Sequence, residues 1–176
     1  MAILEQRSLQ LEMPIILRAA TAEDLPKLEW YGQYKHFRNL FRRTFREQEA
    51  GRRMMLLADS NNFPVGHVFI QFKDPDEPDD EGRAYLYSFR VMEMFRGHGI
   101  GTWLLQESEN IALDRGLEWM TIAVAKDNDG ARRLYERLGY HIYAEDSGRW
   151  SYLDHKGIVR HVNEPCWMLQ KNLTLR

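Results

Sequence analysis

The spacing of apolar positions changes several times along the chain, and each change marks an element. Residues 15–18 read as a short strand, and Thr21-Ala22-Glu23-Asp24 reads as a capping box opening a first helix. Helical character returns over 34–49, a stretch rich in Arg and Phe. Residues 53–59 and 65–73 are predicted strands, and the turn-rich Ser60-Asn61-Asn62-Phe63-Pro64 between them predicts a hairpin. Residues 74–82 hold two prolines and six acidic residues, the composition of a loop. A strand over 84–91, an amphipathic helix over 102–115, a strand over 117–124 and a helix capped by Asn128 follow in order. On that last helix Ala131, Leu134, Tyr135 and Leu138 share one face, and Gly139 is placed to end it as a left-handed residue. Strands at 140–144, 149–153, 158–162 and 166–170 complete the chain, the middle two flanking the turn Asp154-His155-Lys156-Gly157. The sum is a mixed α/β domain, α+β-like, with a central mixed sheet of about six or seven strands and about four helices. Residues 1–14 are expected to form a tail, and residues 15–171 a single domain.

Composition narrows the class of protein. The 176 residues carry 24 Lys and Arg against 26 Asp and Glu, so no global basic field argues for nucleic acid or a charged membrane anchor. No apolar run approaches transmembrane length, and the start, Met1-Ala-Ile-Leu-Glu-Gln-Arg, lacks the basic lead of a signal peptide. The single cysteine, Cys166, allows no internal disulfide and reads as a core residue, which fits a reducing, cytoplasmic setting. His155, His161 and Glu164 lack metal-ligand spacing, so no metal is expected.

The chemistry concentrates between the 84–91 strand and the helix after it. There Arg96-Gly97-His98-Gly99-Ile100-Gly101-Thr102 sets three glycines at alternate positions directly before a helix. Glycine permits a tight turn and close approach of a ligand to the backbone. The first N–H groups of the helix point at that turn, and the helix dipole adds positive potential there. The combination suits phosphate or pyrophosphate, and Arg96 at the lip adds a charged donor fork. A Walker loop would need Lys-Ser or Lys-Thr after the last glycine, where this chain has Thr102-Trp103. A dinucleotide fingerprint would need a small residue at Thr102 and an acid closing the next strand, where this chain has Ala125-Lys126.

The turn instead resembles the Arg-x-x-Gly-x-Gly pyrophosphate loop of the GNAT superfamily of N-acetyltransferases. A second block, Asn128-Asp129-Gly130-Ala131-Arg132-Arg133-Leu134-Tyr135-Glu136-Arg137-Leu138-Gly139-Tyr140, is similar to that family's Asn-x-x-Ala-x-x-Leu-Tyr-x-x-x-Gly-Phe/Tyr at every fixed position. A third match is the opening Ile16-Leu17-Arg18-Ala19-Ala20-Thr21-Ala22-Glu23-Asp24-Leu25-Pro26, which resembles the family's usual first strand and first helix. The resemblance implies the GNAT fold and transfer of an acetyl group from acetyl-CoA to an amine-bearing substrate. It implies that Phe89, Arg90 and Val91 pair with the pantetheine arm, and that a backbone N–H near Val91 faces the developing oxyanion. Arg96, Gly97, His98, Gly99, Ile100, Gly101 and Thr102 would hold the pyrophosphate, with Asn128, Ala131 and Tyr135 also beside the donor. Tyr135 occupies the position of the acid that protonates the leaving thiolate, which a phenol of pKa about 10 can do at neutral pH.

The general base departs from the family pattern. Many members carry a Glu on the strand before the loop, whereas Tyr85-Leu86-Tyr87-Ser88-Phe89 has no carboxylate. Glu93, just past the strand, is one candidate, and a water chain bound by Ser88, Tyr85 or Tyr87 is the other. For the acceptor, the fold implies a groove lined by the first two helices and the late hairpin. Trp30, Tyr31, Tyr34, Tyr87, Trp150 and Tyr152 are the substrate-facing candidates, with ordinary packing as the alternative. Two rival functions stay open: transfer of a longer acyl group, and CoA binding without turnover as a sensor or partner module. The choice between monomer and homodimer is also open.

Overall fold

The computed structural model describes residues 8–72 and 82–175. The acidic stretch 74–81 and the end of the strand expected at 65–73 lie outside the described residues. A seven-stranded sheet runs β1 (Ile16–Ala19), β2 (Arg53–Ser60), β3 (Phe63–Gln71), β4 (Arg83–Val91), β5 (Trp119–Ala125), β9 (Cys166–Asn172), β6 (His141–Asp146). β4 and β5 are parallel, and the other ladders of this sheet are antiparallel. This mixed sheet is the predicted fold class. β7 (Arg149–Leu153) and β8 (Val159–Asn163) form the expected late hairpin, standing off as a separate two-stranded sheet.

Strands buried on both faces carry near-continuous apolar runs, and here the alternation says which face each residue serves. On β2, Met55 and Leu57 join Phe41 and Phe69 in one core. Their neighbours Leu56 and Ala58 join Leu104, Leu105, Ile122 and Tyr135 in the other. Helix α1 (Arg38–Glu49), carrying Phe41, covers the first face. Helices α2 (Ile100–Asp114) and α3 (Asp129–Arg137) cover the second. Cys166 is 7% exposed, the buried position expected of it.

The first expected helix does not form as an α-helix. Residues Ala22–Asp24 and Lys27–Glu29 are single 3₁₀ turns. Pro26 has no N–H to donate back along a helix. Trp30, Tyr31 and Gly32 then take positive φ of 42°, 57° and 94°, which turns the chain away. The capping residues do act: Asp24 accepts the Thr21 N–H at 2.8 Å and its hydroxyl at 3.1 Å. The 34–49 stretch likewise begins with a 3₁₀ turn, Lys35–Phe37, before α1. Asn39 of α1 donates to the Asp154 carbonyl at 2.7 Å, which ties the β7–β8 turn to the helix. Among the described residues, no helix is long and apolar enough to cross a membrane.

Candidate active site

A bulge in β4 organises the site. Phe69 pairs with Tyr87 and His67 with Arg90, so Ser88 and Phe89 together face Val68. Ser88 takes φ of 52°, a left-handed conformation that costs a non-glycine residue about 1–2 kcal/mol. The extra residue reverses the strand's facing. Tyr85 and Tyr87 line a groove before the bulge, and Ser88 and Arg90 line the same groove after it. Ala84 and Leu86 pack into the α2 side before the bulge, and Phe89 and Val91 do so after it. Unbroken alternation would have left Arg90 facing the core.

The parallel ladder also ends there. β4 pairs with β5 from Arg83↔Trp119 to Leu86↔Ile122 and no further, although β5 continues to Ala125. The two strands part just where β4 runs towards the glycine turn. The space between them is a slot with backbone groups along its edge, a shape that can take an extended chain as an added strand.

At the mouth of the slot the glycines do different work. Gly97 and Gly99 have φ of 78° and 84°, where side chains are strained. Gly101 has no such φ, but a Cβ there would stand 3.1 Å from Phe89 Cζ. Gly99 caps α2, and the Trp103 N–H donates to its carbonyl at 2.9 Å. The N–H groups ahead of Trp103 therefore face the turn. Arg96 Nε donates to the Val91 carbonyl at 2.9 Å, bracing the turn against the end of β4. His98 is exposed, Ile100 is buried at the helix start and Thr102 is half-buried. The geometry fits a pyrophosphate: N–H groups converge, a guanidinium lies beside them, and no side chain fills the turn.

Tyr135 is buried and stands 6.3 Å, ring to ring, from Phe89. Phe89 thus links the glycine turn, through Gly101, to Tyr135. Burial first, then the neighbouring Tyr85, pushes the Tyr135 phenol above its ordinary range, so it stays protonated. Tyr85 is pushed up to about 12, by burial first and then by Cys166. Asn128 caps α3 by accepting the Ala131 N–H at 3.1 Å.

The groove on the other face of the slot has a volume of about 670 Å³. Tyr87 and Trp150 line it directly. Tyr34 lies beneath Arg90, 4.5 Å from its guanidinium carbon. Tyr152 packs 5.3 Å from Trp150 and lines an adjoining cavity. Trp30 and Tyr31 are not brought to the groove. Trp30 is buried, its indole N–H donating to the Pro64 carbonyl at 2.9 Å. Tyr31 is 90% exposed and stacks on Phe63. Glu93 is exposed on the 3₁₀ turn Glu93–Phe95 and is not among the lining residues. The carboxylates that do line the groove are Asp146 and Glu164. Sequence reasoning missed both, because each lies at a strand end that only the tertiary fold carries there.

His67 is fully buried at the back of the groove, its Nε2 3.4 Å from Ser88 Oγ. Burial and then Arg90 hold its pKa well below the ordinary value, so the ring is neutral. Sequence reading gave no role to His67. The stacked Phe69 at 5.0 Å and its place on β3 two residues earlier are the signals that put it beside the bulge.

Residues 17–140 match the Acetyltransferase (GNAT) family, and the chain belongs to that family. It is 36% identical over 69 residues to the uncharacterized N-acetyltransferase YdgE of Bacillus subtilis, covering 39% of this chain and 43% of that protein. The chain spans less than half the length of the curated relatives it matches. Its fold is shared with an N-acetyltransferase from Staphylococcus aureus Mu50, at TM-score 0.73, 16% identity and coverage of 92% and 99% of the two chains. The fold is shared too with Arabidopsis thaliana Naa50 in complex with the bisubstrate analogue CoA-Ac-MVNAL, at TM-score 0.65, 18% identity and coverage of 90% and 98%.

Proposed function

We propose that the chain is a cytoplasmic N-acetyltransferase that moves an acetyl group from acetyl-CoA to a primary amine, by direct attack in a ternary complex. The observation that carries this reading is the join of three features: the parted strands β4 and β5, the glycine turn at the mouth of the slot, and Tyr135 behind Phe89. The donor supplies an activated thioester. The chain's own residues supply the rest.

The N–H groups of residues 97–102 and the Arg96 guanidinium hold the pyrophosphate, with Asn128 and Ala131 at the neighbouring helix start. The edge of Phe89, Arg90 and Val91 aligns the pantetheine arm, and alignment removes much of the entropic barrier. A backbone N–H near Val91 meets the negative charge that develops on the carbonyl oxygen. The amine nitrogen forms the new C–N bond as the C–S bond breaks, and Tyr135 gives its hydroxyl proton to the departing sulfur. Ser88 relays the amine's surplus proton to solvent, and a solvent proton restores the Tyr135 hydroxyl after the thiol leaves, so the step closes without net change in protons. Its hydroxyl lines the groove, whereas Glu93 stands exposed outside it, so placement favours Ser88 over Glu93. His67 cannot keep that proton, because burial and Arg90 both oppose its charge. Tyr87, Trp150 and Tyr152 form the aromatic side of the acceptor site, with Tyr34 behind Arg90.

Release of free CoA thiol in the presence of a panel of amines tests this reading. Acetyl-CoA is expected to give thiol only when an amine is present, with the acetylated amine found by mass spectrometry. Tight CoA binding without thiol release from any amine would make the chain a binding module instead. Faster release from propionyl- or succinyl-CoA would assign a longer acyl group.

A further inference from the structure

The bulge at Ser88 turns Arg90 out of the core-facing row and into the acceptor groove. Its guanidinium is charged at any physiological pH, so a sheltered position needs partners. Those it has are neutral. Nη1 donates to Ser88 Oγ at 2.7 Å and lies 3.4 Å from the neutral His67. The Tyr34 and Phe37 rings lie 4.5 and 5.2 Å from Cζ. Burial lowers the Arg90 pKa, and the Tyr34 phenol is the one group that offsets this.

Five arginines elsewhere on the chain are held by acids. Arg18, Arg38, Arg52, Arg132 and Arg160 each meet a carboxylate. Arg43, Arg53 and Arg149 line the same groove as Arg90, and among the described residues none of these four forms an ion pair. Arg53 donates instead to the Tyr87 hydroxyl at 2.7 Å. The groove's two acids, Asp146 and Glu164, do not reach these arginines, and Asp146 accepts the Gly148 N–H at 2.7 Å. On a chain of net charge −2, four arginines against two acids leave the lining of this groove locally cationic.

We propose that the acceptor amine carries a carboxylate, and that Arg90 seats it while the amine reaches the acetyl group. The substrate is an amino acid or an acidic amine, and polyamines are repelled. This inference rests on the acetyltransferase reading above. The carboxylate can come from the main chain of a free amino acid or from an acidic side chain of a short peptide, and matched substrates separate the two.

The experiment compares free amino acids with their carboxamides, and Asp- or Glu-bearing peptides with their Asn or Gln counterparts. Thiol release gives kcat/KM for each, and calorimetry gives the affinity of the N-acetyl product of each. The acid of one series is expected to exceed its amide by about ten-fold or more, mostly through KM, as a charge-assisted hydrogen bond implies. The preference should shrink with salt, collapse in Arg90→Gln and return in part in Arg90→Lys. Amides and polyamines turned over as well as acids by the parent protein would overturn the proposal, whether or not either variant folds. If no amine is acetylated, the acetyltransferase reading fails, and the product affinities still decide: tighter binding of N-acetyl acids supports the carboxylate site, and equal or absent binding overturns it.

Discussion

Tyr135 shows how one side chain can serve packing and chemistry together. Its ring belongs to the core with Phe89 and Tyr140, and burial keeps its hydroxyl protonated. Tyr135→Phe keeps the ring and removes the proton. Turnover should fall by about 10²–10⁴-fold with acetyl-CoA affinity changed only a few-fold, and an aryl-thioester donor with a better leaving group should recover much of the rate. Full activity of Tyr135→Phe would make the residue a packing tyrosine. Arg96→Ala should weaken acetyl-CoA binding by about ten-fold or more, an effect that shrinks as salt rises. Its side chain also braces the Val91 carbonyl, so a salt-independent loss would mean that the turn, rather than the charge, was damaged. The sequence made Arg96, the glycines, Asn128 and Tyr135 legible because their spacing is local. Arg90's place in the groove was not, since alternation alone puts its side chain on the other face.

The bulge is the element that sequence periodicity could not show. A strand read with period two sends Tyr85, Tyr87 and Phe89 to one face, and the inserted residue at Ser88 breaks that row. No glycine or proline marks the position. Replacing Ser88 by glycine should relieve about 1 kcal/mol of left-handed strain, and loss of the bond from Arg90 to its hydroxyl should offset that gain in chemical denaturation. The same variant should lose turnover, since it removes the hydroxyl on the proton's proposed route. Undiminished turnover would remove Ser88 from the mechanism. The missing first helix has a cause that can be read backwards from Pro26, yet the left-handed Trp30 and Tyr31 are held by contacts remote in sequence. Trp30 reaches Pro64, and Tyr31 stacks on Phe63. The hairpins, α2 and α3 followed from turn residues and caps close to them in the chain, which is why their bounds differ from expectation by only a residue or two.

Across the whole molecule, the response to acid is set by depressed carboxylates, Asp24 and Asp154 foremost, and by the buried His67. Burial alone would raise the Asp24 pKa, but the Arg18 guanidinium and the Thr21 N–H overcome it and hold Asp24 at about 2, against an ordinary 3.8. Its stabilising contribution is complete above pH 4 or so and is lost as pH falls towards 2. His67 acts earlier. Its folded pKa is depressed, so below about pH 6.5 the unfolded chain takes up a proton that the folded chain refuses, and stability declines. Urea midpoints should therefore fall in two steps on acidification, and Asp24→Asn should shrink the lower one, leaving the part that Asp154 carries. A midpoint independent of pH between 7 and 5 would contradict the neutral, buried His67. Asp24→Ala should cost about 1–2 kcal/mol, because it removes the bidentate bond to Arg18 and the cap on the Thr21 N–H, while Arg18 keeps Asp59 as its partner. The fold class was legible from the order of elements, and the groove was not, because its lining comes from α1 and from β2, β3, β4, β5, β6, β7 and β9, with no shared motif. Gly99→Glu addresses the pyrophosphate turn most directly. Its Cβ meets no neighbour but takes a φ of 84° that strains any side chain, so Gly99→Ala, equally strained and uncharged, is the control that isolates the carboxylate placed where the anion would sit. Calorimetry with acetyl-CoA should show clear binding to the parent and none to folded Gly99→Glu; equal affinity in both would contradict the assignment of the slot between β4 and β5 as the acetyl-CoA site.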